Sequence, residues 1–139
     1  MAVLQYSRAE DQAVIDVVSD TPDALDPTSL LGTWMNTNGA SGGMAKVILT
    51  LKDGALTVRV IGADEPEPHD WGEITAAVYA KSVDSKDGMA FSATYDFGFM
   101  ATHLQANVKQ GVLVIASFTR FKDDSGRANY FVREFFYQP

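Results

Sequence analysis

The sequence predicts an all-β fold, an eight-stranded up-and-down antiparallel barrel preceded by a short N-terminal helix. Three observations point there. From residue 32 onward, short runs rich in β-branched and aromatic residues recur at close intervals. The links between them carry turn chemistry, above all Asp53-Gly54 between LTLK and ALTVRV, where both positions can take a positive φ. No link after residue 32 is long enough to hold a crossover helix, so parallel βαβ units are excluded.

The first element is the helix. In RAEDQAVIDVVS, residues 8–19, Val14, Val17 and Val18 form one apolar stripe, and Ser7 with Glu10 makes a capping-box pattern. Pro22 and Pro27 then end regular structure, so residues 1–28 read as helix and connector and 29–139 as the barrel. The stretch SLLGTWMNTNG opens the sheet, because Gly32 disfavours a helix and Thr33 and Thr37 are β-branched. Strands are expected at 32–38, 44–52, 55–62, 71–80, 89–96, 99–109, 112–121 and 129–138. Gln110-Gly111 is a second tight reversal, Gly98 marks a turn between Phe97 and Phe99, and Lys86–Gly88 and Asp123–Gly126 read as longer hairpin loops. NGASGG, residues 38–43, is expected to be a flexible loop, and DEPEPHD, residues 64–70, an acidic one stiffened by proline. Closure into a barrel removes two exposed sheet edges and leaves an interior wide enough for side chains or one small ligand.

Period-two alternation assigns the faces. Val47, Leu49 and Leu51 point inward from the second strand, Leu56, Val58 and Val60 from the third, and Met89, Phe91, Ala93, Tyr95 and Phe97 from 89–97. At 99–109, burial puts Met100, Thr102, Leu104 and Ala106 inside, whereas a polar ligand site would turn His103 and Gln105 inward instead. The last two strands are apolar on both faces, so either the N-terminal helix or a second subunit is expected to cover the outside, and a homodimer follows from the latter.

Composition excludes several function classes. A net charge of −7 with scattered Lys and Arg opposes nucleic acid and anionic membrane surfaces. The absence of cysteine removes disulfides, thiolate catalysis and cysteine zinc sites. No apolar stretch approaches the ~20 residues that span a bilayer, and the N-terminus lacks a secretory pattern, so a cytoplasmic protein without a cofactor is expected.

LLGTW, a short turn feeding Gly-x-Trp into the first strand, resembles the opening motif of the lipocalins in the calycin superfamily. The resemblance implies that Gly32 and Trp34 close one end of the barrel and that Arg133, in FVREFF of the last strand, packs across the indole. The pattern departs from the family in its second motif, of which only Tyr95-Asp96 shares letters, and in lacking a cysteine pair, so the resemblance is to a divergent, bacterial-type member.

Candidate chemistry is sparse. Tyr95 and His103, brought near each other by a hairpin through Gly98, are the candidate acid–base residues. Asn36, Tyr79, Tyr95, His103, Gln105 and Arg133 are the candidates for orienting a ligand, with Arg133 alternatively an anion clamp. His69, Glu67 and Asp70 are metal-ligand types without a second histidine at useful spacing, and no metal is expected. Trp71 either gates the barrel mouth or packs. No phosphate loop or serine elbow occurs. With eight Phe, five Tyr and two Trp available to line a pocket, the expected function is to bind a small, largely apolar molecule inside the barrel. The alternative is a small barrel isomerase or cyclase for an apolar metabolite. A structural assembly protein is the third reading.

Overall fold

Alternation of apolar and polar residues produces a single antiparallel sheet that curls on itself. The computed structural model describes residues 25–64 and 67–139. The helix expected at 8–19 lies outside the described residues.

A 3-10 turn at Thr28–Leu30 leads into nine strands: β1 (Gly32–Asn36), β2 (Met44–Lys52), β3 (Ala55–Gly62), β4 (His69–Thr75), β5 (Ala77–Ala80), β6 (Gly88–Asp96), β7 (Met100–Lys109), β8 (Val112–Phe121) and β9 (Tyr130–Tyr137). Their order in the sheet is β4-β3-β2-β1-β9-β8-β7-β6-β5. The two outermost strands are therefore consecutive in the chain, and the sheet forms a nearly closed barrel.

The expected count of eight strands is corrected to nine among the described residues, because the run at 71–80 is divided. Its first part pairs with β3 and its second with β6. Ala76, between them, gives its N–H to the carbonyl of Leu56 at 2.8 Å, after which the backbone changes partner. The tight hairpins form as their residues dictate. Asp53 and Gly54 have φ of 50° and 80°, and Gln110 and Gly111 have 52° and 79°, the paired positive values that suit the right-handed twist of the flanking strands.

The 3-10 turn and Trp34 seal the base. Trp34 is 2% exposed and its indole Nε1 donates to the Leu30 carbonyl at 2.9 Å. Leu30, Leu49, Leu56, Phe91, Leu104, Leu113, Ile115 and Phe136 are buried around it, each such side chain stabilising the fold by about 1.5–3 kcal/mol. Gly32 has a φ of 121°, and a Cβ there would lie 2.6 Å from Nε2 of Gln138, which donates to the Leu31 carbonyl. Glycine is thus required where the chain enters β1.

The inward faces match alternation in β2, β3 and β6, except that Leu51 is 46% exposed beyond the base. In β7, Thr102, Leu104 and Ala106 are buried, so the inverted arrangement with His103 inside does not occur. The outer faces of β8 and β9 do expose large aromatic residues, with Phe118, Phe131, Phe135 and Tyr137 each between 41% and 47% exposed.

Candidate functional site

Four connections gather at the end of the barrel away from Trp34: 37–43, the one to which 63–64 and 67–68 belong, 97–99 and 122–129. Between them lies a cavity of about 580 Å³, within the range of small-molecule sites. Its wall is aromatic. Trp71 meets the rings of Tyr95 and Phe97 edge-on at 5.4 and 5.5 Å between centroids, and Tyr95 and Phe97 stack at 5.7 Å. Trp71, Phe97, Phe99 and Tyr130 line the cavity, while Tyr95 stands behind them in the core.

The deeper lining is hydroxylated. Thr102 and Thr119 face each other across β7 and β8 and share a hydrogen bond at 2.9 Å. Ser117, one inward position before Thr119 on β8, donates to the Val132 carbonyl at 3.4 Å. These hydroxyls are buried and line the cavity.

Glu134, inward-facing on β9, supplies the fixed charge. Its carboxylate accepts from Nδ2 of Asn36 at 2.8 Å, from the backbone N–H of Met44 at 3.3 Å and from the hydroxyl of Ser41. Ser41 is held in turn by the Gly43 N–H at 3.0 Å. The connection 37–43 is therefore tied to β9 through these side chains. A Cβ on Gly43 would sit 2.8 Å from Oε1 of Glu134, so the glycine leaves room for the carboxylate.

Tyr95 is occupied with structure. The register of β3 against β4 shifts between Arg59 and Ile61, and Val60 has no register partner on β4. The Tyr95 hydroxyl accepts from the Val60 N–H at 3.2 Å and donates to the Gly72 carbonyl at 2.7 Å, with the Val58 carbonyl at 3.2 Å. Burial pushes its pKa up to about 12, so the phenol stays protonated at neutral pH.

The other expected site residues separate. His103 lies on the outer face of β7, with Nδ1 2.8 Å from the Thr94 hydroxyl. It stands on the opposite face of the sheet from Tyr95, whose register partner is Thr102. The hairpin through Gly98 therefore does not bring the candidate acid and base together. Gln105 is exposed on the same outer face as His103. Tyr79 is 50% exposed, and its hydroxyl is 2.9 Å from that of Ser92. Arg133 points outward, where its guanidinium lies 5.6 Å from the Phe131 ring centre. The expected stack on Trp34 does not form, because alternation along β9 sends Glu134 and Phe136 inward and Arg133 out. An interior anion clamp from Arg133 is ruled out by the same alternation. Asn36 reaches the cavity through Glu134, and Trp71 both lines the wall and packs against the core.

The mouth is braced by ion pairs outside the lining. Lys122 meets Asp96 at 2.7 Å and Arg127 meets Asp123 at 2.9 Å. The Lys122 ammonium beside Asp96 holds that carboxyl below its usual range. Arg127 also lies 4.2 Å from the Phe121 ring centre and 5.5 Å from that of Phe99. The Arg59 guanidinium of β3 likewise lowers the pKa of Asp70 on β4, and Lys52 of β2 that of Glu73 on β4. No group of three or more metal-ligating side chains occurs among the described residues, and His69 simply joins Asp64 at the cavity rim.

No family model matches this chain, and no curated protein or solved structure is significantly similar to it. The nearly closed antiparallel barrel is consistent with a calycin-like architecture. Among the described residues, no helix is long and apolar enough to cross a membrane.

Proposed function

We propose that this chain is a lipocalin-like binding protein that holds one small, largely apolar molecule in the mouth half of its barrel. The observation that carries this reading is the cavity of about 580 Å³, walled by aromatic rings above a sealed base. Ring faces supply non-directional burial, while Thr102, Thr119, Ser117 and Glu134 can orient a polar end. The alternative of an isomerase or cyclase draws no support from Tyr95 and His103, which lie on opposite faces of the sheet. The lack of cysteine is compatible with a cytoplasmic location. The exposed rings on β8 and β9 favour self-association as a separate property, and sedimentation at micromolar concentration checks it: a dimer is expected, and a monomer rejects it.

The test of the binding reading is titration with a neutral fluorescent ligand, N-phenyl-1-naphthylamine. Saturable quenching of tryptophan emission with one site per chain is expected, and Trp71→Phe should remove most of the quenching. No saturable signal at accessible concentrations would reject the reading.

A further inference from the structure

We propose that the cavity selects organic cations, meaning an ammonium group carried on an apolar skeleton. This rests on the binding reading above and names its ligand class.

The argument begins with charge pairing. Glu73, Asp70, Asp96 and Asp123 each face a basic side chain, respectively Lys52, Arg59, Lys122 and Arg127. Glu134 is different. Its three donors, the Asn36 amide, the Ser41 hydroxyl and the Met44 N–H, are all neutral, and no ion pair reaches it among the described residues. Neutral dipoles orient a carboxylate without cancelling its charge. A carboxylate offers about four acceptor positions, so capacity remains on a side chain that lines the cavity.

The rest of the lining has the same sign. Asp64 stands at the rim, and among the described residues no Lys or Arg contributes and His69 is the one lining side chain able to carry positive charge. Arg127, though close to the Phe99 ring, is engaged by Asp123 and is not part of the lining. Arg133 faces outward. A carboxylate ligand would enter this space next to Glu134 with no lysine or arginine among the described lining residues to neutralise it, and desolvation would add to the repulsion.

The aromatic wall supplies the second attraction. Trp71, Phe97, Phe99 and Tyr130 border the same space as Glu134, and the negative faces of such rings attract cations most strongly where water is displaced. An ammonium between these rings and the carboxylate would meet both, and its N–H groups could also reach Thr102, Ser117 or Thr119 as acceptors.

The test compares three ligands with one skeleton by calorimetry: 4-phenylbutylammonium, 4-phenylbutan-1-ol and 4-phenylbutanoate. The ammonium is expected to bind about tenfold or more tightly than the alcohol, and the carboxylate more weakly than the alcohol. Glu134→Gln should bring the ammonium to within about threefold of the alcohol measured on the same variant. Should that variant fold poorly, the ranking of the three ligands on wild-type protein decides the matter by itself. Alcohol and carboxylate binding as well as the ammonium would overturn cation selection while leaving the binding reading standing. Binding of none of the three would overturn cation selection too, and the neutral-ligand titration then decides the binding reading by itself.

Discussion

The base and the mouth of this barrel are made from the same strands, and their inward rows differ. Along β8 the row begins Leu113, Ile115 at the base and continues Ser117, Thr119 at the mouth. Along β7, which runs the other way, it begins Met100, Thr102 at the mouth and ends Leu104, Ala106 at the base. In β9, Val132 and Glu134 at the mouth give way to Phe136 at the base. Large apolar side chains meet around Trp34 and fill the space. Small hydroxylated ones reach less far into the barrel and leave a cavity. The fold alone thus decides neither packing nor binding; the size and polarity of a few inward residues do.

The largest expected effect comes from opening the base. Trp34→Ala should destabilise the protein by about 3–5 kcal/mol in chemical denaturation, because it deletes a fully buried ring. Met100→Ala, which borders the existing cavity, should cost less than about 1 kcal/mol. Equal losses from the two would remove the distinction between the halves.

Next come substitutions that fill. Ala106→Leu adds volume to the packed base and should cost about 1–3 kcal/mol. Ser117→Leu, at the cavity, should be tolerated far better, by the same denaturation measurement.

Tyr95 sharpens the comparison, since it stands behind the aromatic wall and bridges to β3 and β4. Tyr95→Phe leaves the Val60 N–H and the Gly72 carbonyl without the hydroxyl, at a cost of about 1–3 kcal/mol. The pH dependence follows from the raised pKa. Between pH 10, its ordinary value, and about 12, the unfolded chain loses the phenol proton while the folded chain keeps it. Wild-type stability should therefore be full below pH 10, fall across that window and level off above it. Denaturation midpoints between pH 9 and 12 check this, and Tyr95→Phe should flatten that part of the slope. The smallest effect is at the braced rim: Lys122→Ala breaks an exposed ion pair with Asp96 and should leave the melting temperature within error.

Much of the base was legible in the sequence. Asp53-Gly54 and Gln110-Gly111 specify their turns locally, and alternation in β2, β3 and β6 needs only neighbouring residues. Trp34 announces itself by size after Gly32. The mouth was less legible. The shift from Leu113 and Ile115 to Ser117 and Thr119 on one face is visible along β8, and it was the available signal for a hollow. Glu134 could not be recognised from its surroundings in sequence, since Ser41 and Asn36 are 93 and 98 positions away. Arg133, beside it, drew the functional reading, but the face of a strand depends on register, and one position reverses it. The division of 69–80 into β4 and β5 depends on where β3 and β6 diverge, which no local pattern encodes.

The measurement that bears most directly on the hollow mouth is neutral-ligand titration of wild-type protein beside Ser117→Leu, with both melting temperatures recorded. Saturable one-site binding by the wild type, weakened at least about tenfold in a Ser117→Leu protein that melts normally, is the expected result. Unchanged affinity in that variant would contradict the placement of the ligand in this cavity.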